Sequence, residues 1–175
     1  MPTSTPSASP AFWSIIEAAR TAAPSDAEEF AESVREQLEK LPATDIIAFQ
    51  SDLDALMDRM FNWDLWGAAH IMNFGCSDDG FEYWRGWLIA QGQQICEQAI
   101  ADPESLATAK LSYGEPGQFE CESLMYMPAE ALDDKSDDEM PRASNRPTDP
   151  AGEMWEEDGD DLEKKFPKLF AKFSE

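Results

Sequence analysis

The sequence has few of the residues from which catalytic and metal sites are usually built. Its 175 residues include one histidine, His70, and three cysteines, Cys76, Cys96 and Cys121. The cysteines are widely spaced and form no CxxC pair, so we expect reduced thiols, with neither a disulfide framework nor a zinc site. A Gly-rich phosphate loop and a GxSxG turn are absent as well. No cofactor and no metal is therefore expected.

Positive charge is also scarce. Thirteen Lys and Arg residues stand against 36 Asp and Glu, which gives a net charge of -23. A nucleic-acid duplex or an anionic membrane would repel such a protein, so direct binding to either is not expected. A basic protein partner, a cation, or mimicry of the charge of a nucleic acid fits the acidic excess. Plain solubility is the simpler explanation of the same composition.

Long hydrophobic runs are missing too. Asp, Glu, His or Arg interrupts every apolar stretch before it reaches the roughly 20 residues that a membrane helix needs. The first ten residues, MPTSTPSASP, have neither the basic nor the apolar region of a secretory signal. We expect a soluble, cytoplasmic protein, whose oligomeric state the sequence leaves open.

Helical periodicity is what the sequence has in abundance. Ser9 followed by Pro10 predicts the start of a first helix. Ser25 and Glu28 have the spacing of a capping box for a second helix, and Thr44 is placed to cap a third. Amphipathic helices with short, capped connections predict an all-α, single-domain helical bundle rather than βαβ units.

Residues 62–89 form the most unusual stretch, because they hold four of the six tryptophans and the only histidine. Residues 65–74 are apolar nearly all round, which is typical of a buried helix. Gly75 is placed to end that helix, and Ser77 to cap the next one, which is expected to run to about residue 100. The pattern predicts a central Trp-rich helical hairpin.

Composition also predicts how the chain is divided. We expect a disordered N-terminal tail at 1–9 and a helical core domain at 10–132. An acidic, Pro-containing linker is predicted at 133–150. Residues 151–175 are too apolar for a disordered tail, so we expect a C-terminal segment that packs on the core with its lysines facing the acidic body.

Several motifs resemble those of a known family. They are WDLWGAA at 63–69, GCSDDGF at 75–81 and RGWLI at 85–89, and the terminal patterns at 152–155 and 166–169 agree with them. On these motifs the chain resembles an uncharacterised bacterial family, the domain of unknown function family 4240. The resemblance implies no activity, because no reaction is established for that family.

The candidate functional site lies around the polar turn of the hairpin. We predict a cluster of five ligand-binding candidates: Asp64, Ser77, Asp78, Asp79 and Arg85. As a functional site, the cluster would bind a small ligand or a cation, or would position a carboxylate as acid or base. As a structural feature, it would cap a helix and hold a buried arginine between acidic partners. Both interpretations stay open at this point.

Other residues have weaker claims to function. Cys76 near a helix start could act as a nucleophile with His70 as its base, but a buried structural cysteine is the favoured interpretation. Members of the family that the chain resembles usually carry an aromatic residue at the position of His70, which weakens the case for a catalytic role of this histidine. Acidic runs at 78–82 and 156–161 could hold a hard cation, although solvated surface is the usual explanation. The tryptophans favour core packing over ligand stacking.

The leading functional hypothesis is a non-enzymatic binding or regulatory protein for a basic partner. It depends on the strong negative charge and on the lack of an assembled catalytic set. The alternative hypothesis is a small enzyme or ligand-binding protein that uses a polar pocket around Asp78, Asp79 and Arg85.

Overall fold

The fold is helical, as the periodicity predicts. A computed structural model of the chain describes residues 7–174, so residues 1–6 of the predicted disordered tail lie outside the described part. Within 7–174 the only β-type pairing is an isolated bridge between Asn62 and Ala151. The α-helices are α1 (Pro10–Ala22), α2 (Ala27–Glu39), α3 (Ala43–Arg59), α4 (Trp63–Met72), α5 (Asp78–Ala90), α6 (Gln93–Ala101), α7 (Met127–Asp133), α8 (Asp161–Lys165) and α9 (Pro167–Phe173), and two 3₁₀ helices span Pro103–Ala107 and Glu122–Met125.

The central hairpin consists of α4 and α5. Trp84 and Trp87 on α5 are fully buried, because their side chains lie at helical spacing on the face that meets the other helices. Trp63 and Trp66 on α4 are half-buried and stack with their ring centroids 5.0 Å apart. The four tryptophans of the hairpin are therefore mainly packing material.

Both helices of the hairpin begin at polar caps. The Asn62 side chain accepts a hydrogen bond of 2.9 Å from the Leu65 amide. The Ser77 hydroxyl accepts one of 3.1 Å from the Gly80 amide. Each cap satisfies an amide that has no partner within its helix. The predicted cap at Ser77 is thus confirmed.

Two other predicted caps are wrong, by one residue for α2 and by two for α3. The Asp26 carboxylate, not Ser25, caps α2 by accepting from the Glu29 amide at 3.0 Å. Aspartate is as good a cap as serine, so two neighbouring candidates compete and tertiary packing decides between them. Thr44 lies inside α3, which starts after Pro42 without a side-chain cap. Proline, whose φ is fixed, holds the extended conformation that a cap position requires.

The single helix predicted from residue 78 to about 100 is two helices. Gly92 separates α5 from α6, with φ at 93°, a conformation that side chains other than glycine rarely adopt. A Cβ atom on Gly92 would lie 2.5 Å from Oε1 of Glu17 and 2.7 Å from Nη1 of Arg20. The positive φ turns the chain between α5 and α6, and two side chains of α1 lie against this turn.

The C-terminal segment packs on the bundle. Between α7 and α8 the chain has no helix, and Arg146 connects it to α3 through a 2.7 Å ion pair with Asp58. Five large apolar side chains after residue 150 are buried: Trp155, Leu162, Phe166, Leu169 and Phe173. The boundaries predicted for the four sections of the chain stay a prediction. None of the helices in 7–174 has the length and apolarity needed to cross a membrane.

Candidate functional site

Ser77, Asp78 and Asp79 lie at the exposed start of α5. Ser77 caps the helix, and the two carboxylates occupy its first turn. Negative charge is favourable there, because the unpaired amides of a helix start carry partial positive charge. These three residues therefore have a structural explanation at the surface.

Arg85 is buried, with 7% of its surface exposed. Its Nη1 donates a 2.8 Å hydrogen bond to the Met57 carbonyl, and its Nε donates a 3.4 Å bond to the Phe81 carbonyl. The guanidinium lies over two rings, 4.9 Å from the centroid of Phe61 and 4.7 Å from that of Phe81. Burial lowers the pKa of Arg85 to about 10, because desolvation disfavours the charged form.

The direct contacts of Arg85 are with carbonyls and rings, while nearby carboxylates act on it only through their charge. Within 7–174, Arg85 forms no salt bridge with Asp78 or Asp79. Arginine can satisfy its donors at carbonyl oxygens and interact with aromatic faces, so an ion pair is not required. The expectation that carboxylates hold Arg85 is corrected accordingly.

The structure brings only two of the five candidates into one depression. Asp78 and Arg85 contribute to a shallow cavity of about 280 Å³. The remaining lining residues are Asp58, Phe61, Glu82, Arg146 and Pro147. Ser77 and Asp79 do not line it, and Asp64 lies elsewhere, at 2.5 Å from the ammonium of Lys165.

The three thiols are poor nucleophiles at neutral pH. Burial raises the pKa of Cys76 to about 11 and that of Cys121 to about 12. Burial also raises the pKa of Cys96, which has no exposed surface. The thiolate is the reactive form, so all three side chains are protonated and unreactive near pH 7. Burial lowers the pKa of His70, which keeps the imidazole neutral.

Clusters of carboxylates do not assemble into a cation site. Among residues 7–174, no three His, Cys, Asp or Glu side chains are placed to hold a metal ion. This includes the acidic runs at 78–82 and 156–161. Their side chains are mostly exposed, as is usual for acidic residues on a surface.

A surface that the sequence did not single out lies where the C-terminal segment meets α4. A Cβ atom on Gly67 would lie 2.8 Å from Leu162 Cδ2, 3.1 Å from Trp155 Nε1 and 3.2 Å from Phe166 Cε2. Three large side chains of the segment therefore converge on the one position of α4 that has no side chain. We call the surface formed by α4 and the 3₁₀ helix Pro103–Ala107 the α4 groove.

Aromatic contacts fix the first part of the segment in the groove. The Trp155 indole donates a 2.8 Å hydrogen bond to the Trp63 carbonyl. The two indole rings meet edge to face, with centroids 6.0 Å apart. The His70 ring lies 4.9 Å from the Trp155 ring. The hydrogen bond fixes the orientation of the Trp155 indole, and the rings of Trp63 and His70 pack against it.

Polar contacts fix the second part. The Glu104 carboxylate accepts hydrogen bonds of 3.1 Å from the Lys168 amide and 3.0 Å from the Leu169 amide. These amides lie in the first turn of α9, so a side chain of the bundle caps a helix of the segment. Lys172 Nζ donates a 2.9 Å bond to the Ala107 carbonyl. The groove thus caps the start of α9 and holds a lysine side chain near its end.

A cleft of about 590 Å³ runs beside the groove. One side is formed by α4 and the residues after it, including His70 and Phe74, whose ring is 58% exposed. Carboxylates line the opposite side: Glu157, Asp158, Asp160 and Glu163. The cleft exists because the segment is docked.

Reasoning from the sequence missed Gly67 and Glu104. Gly67 has a visible signal, because a glycine inside an otherwise apolar helical run is unfavourable unless another element approaches closely. Glu104 has no such signal in the sequence, because an acidic residue after Asp102-Pro103 is common in the first turn of a helix.

Comparison with known proteins gives one match. The model of a family described as a protein of unknown function (DUF4240) matches residues 8–134. No curated protein and no solved structure matches the chain. The matched stretch includes α1 to α7 and both parts of the α4 groove, and it ends before the segment that occupies the groove.

Proposed function

The chain belongs to the DUF4240 family of proteins of unknown function, and we propose that it is a non-enzymatic binding or regulatory module for a basic partner. The charge of the family domain supports this. Residues 8–134 contain 24 Asp and Glu against six Lys and Arg, a net charge of -18. A field of this sign attracts cationic surfaces and accelerates their encounter.

The observation that carries the proposal is the docking of the chain's own basic segment. Residues 162–174 contain four lysines and one glutamate, and they lie on the acidic family domain. Lys165 pairs with Asp64 at 2.5 Å, and Lys172 reaches the Ala107 carbonyl. The domain therefore already holds one basic, apolar-faced helical segment within the same chain.

Chemistry at the candidate residues favours binding over catalysis. The thiols are protonated at neutral pH, and the guanidinium of Arg85 is engaged with carbonyls. A nucleophile needs a lowered pKa or an adjacent base to act. The free cysteines also support a reducing compartment, so we propose the cytoplasm of a bacterium as the location.

Affinity capture tests this function. The full-chain protein is immobilised and exposed to host lysate at low and at moderate salt, and an unrelated protein of equal size and net charge serves as control bait. Retention of basic proteins by this chain alone is the expected result. Retention of nothing at either salt concentration, or the same proteins on both baits, would remove the support for a specific basic partner.

The alternative is a small enzyme or ligand-binding protein that uses the pocket around Asp78, Asp79 and Arg85. The shallow cavity between Asp78 and Arg85 supports it, whereas the absence of Asp79 from that cavity does not. An Asp78→Asn variant separates the two functions. The alternative would be favoured if a small molecule raised the melting temperature of the wild type but not that of Asp78→Asn, and the variant still captured basic proteins.

A further inference from the structure

We propose that the α4 groove is a docking site for a basic, amphipathic helical segment of the partner, and that residues 162–173 of this chain, with four lysines and one glutamate, occupy it in cis as a competitor. The inference rests on the proposed function, because it takes the partner to be basic. It adds the place of binding, the pattern of the bound segment and a means of regulation.

The occupant defines the pattern that the groove accepts. Its buried anchors Leu162, Phe166, Leu169 and Phe173 follow one another at intervals of four, three and four residues. Leu162 lies on α8, Phe166 lies between the two helices, and Leu169 and Phe173 lie on α9. All four side chains are buried, so the two short helices together present an apolar face, as in helix-in-groove recognition. We infer a partner segment with large apolar residues at the same intervals and a preceding aromatic anchor.

The groove matches this pattern in shape. Gly67 leaves room for two of the anchors and for Trp155, and the nearest heavy atoms to a Cβ at that position all belong to the segment. Phe119 closes the far end, where its ring meets that of Phe173 edge to face at 6.0 Å. Gly67 and Phe119 thus contact apolar anchors at two places along the segment.

The groove matches the pattern in charge as well. Glu104 accepts two amide hydrogen bonds at the start of α9, a contact that any helical occupant makes through its backbone. Lys165 and Lys172 meet an acid and a carbonyl at the edges. Edge contacts of this kind are partly exposed, so they contribute to specificity and to the rate of association more than to affinity.

The occupant is joined to the family domain through a stretch of chain without helices. It lies outside the matched family stretch, and the chain between Asp133 and Asp161 has no helix. Ala151 makes the last backbone contacts before the groove, donating to the Phe61 carbonyl at 3.0 Å and accepting from the Trp63 amide at 2.9 Å. A segment attached through such a stretch has an effective concentration on the order of millimolar. A partner must outcompete it, which makes the segment a regulator.

Binding of a peptide in trans tests the proposal. The probe is a fluorescent synthetic peptide with the sequence of residues 162–174, which has a net side-chain charge of +3, titrated into full-chain protein. The receptors are the wild type and an opened variant with Leu162→Ala and Phe166→Ala, whose own segment has lost two anchors. A control peptide carries the same two substitutions and the same charge. Trp155→Ala is a milder opened variant if the double variant loses its helical circular dichroism.

We expect the opened variant to bind the probe at least tenfold more tightly than the wild type, since its groove is vacant for a larger fraction of the time. The control peptide should bind the opened variant at least tenfold more weakly than the probe, and adding Gly67→Val should abolish binding of the probe.

Equal binding of both peptides would overturn the groove while leaving a basic partner in place, because charge alone would then explain binding. If hydrogen exchange shows that the segment of the opened variant has left the groove and neither peptide binds, the docking site would also be overturned. Affinity capture would then test the proposed function separately. A wild-type dimer in size exclusion with exchanged segments would overturn the proposal by making a second copy the occupant.

Discussion

Glu104 and Leu169 are joined by a 3.0 Å hydrogen bond from the Leu169 amide to the Glu104 carboxylate. The two residues are 65 positions apart in the chain, and the bond attaches a helix outside the family domain to a short helix within it. Their contact places the C-terminal segment in the α4 groove. The first amides of α9, which have no partner within the helix, face the acidic bundle.

Replacing Glu104 by alanine should loosen α9. Two amides lose their acceptor, and loss of a helix cap costs about 0.5–2 kcal/mol. Glu104→Gln should have a smaller effect, because its amide oxygen can still accept. Hydrogen exchange at the amides of Lys168 and Leu169 measures the change. Glu120→Ala, at an exposed position, is the control, and equal exchange in it and in Glu104→Ala would contradict the capping role.

Gly67→Ala should act in opposite directions on α4 and on the segment. Alanine favours the helix by up to about 1 kcal/mol. Its Cβ would lie 2.8 Å from Leu162 and 3.1 Å from Trp155, so the segment must shift. We expect faster tryptic cleavage after the lysines of α8 and α9, without loss of helical circular dichroism. Gly80→Ala in α5 is the matched control. Unchanged cleavage in Gly67→Ala would show that the groove tolerates a side chain there.

His70 should titrate below the ordinary histidine value of 6.5, because burial disfavours the imidazolium. The unfolded chain then binds the proton more readily than the folded one, so folding loses stability as the pH falls below 6.5. His70 is the only histidine, and a proton NMR titration therefore follows it without ambiguity. A midpoint above 6.5 would mean that the nearby Glu157 carboxylate outweighs burial.

Arg85→Met should fold and should bind the peptide as the wild type does. The Met57 carbonyl loses its 2.8 Å donor, and an unsatisfied buried acceptor costs about 1–3 kcal/mol. Removal of a buried charge offsets part of that loss. Urea denaturation measures the stability, and peptide titration measures the binding. Normal stability with lost binding would assign Arg85 to a binding site instead.

Local features of the fold could be predicted from the sequence, whereas long-range ones could not. The start of α1 at Ser9 and Pro10 and the cap of α5 at Ser77 depend on residues within one turn, so a short pattern contains the information. The turn at Gly92 lies against side chains of Glu17 and Arg20, more than 70 residues earlier. Sequence spacing does not show which helix crosses that point.

The same limit explains the candidate site. Arg85 was expected to find partners among the acids nearest in sequence, but its strongest hydrogen bond goes to Met57, 28 residues away. Gly67 of the groove contacts Leu162 of the segment, which lies 95 positions later in the chain, so no local sequence pattern connects the two. The apolar character of 151–175 nevertheless predicted that this part of the chain packs on the core.

Hydrogen exchange in the presence of the competing peptide tests the central claim most directly. The full-chain wild type is exchanged with and without a saturating concentration of the 162–174 peptide, and the amide of Leu169 in the protein's own chain is followed. If the groove is a docking site with a cis competitor, that amide loses its protection while the amides of α5 keep theirs. Unchanged protection of Leu169 at saturation would contradict the account, because the peptide would then bind without entering the groove.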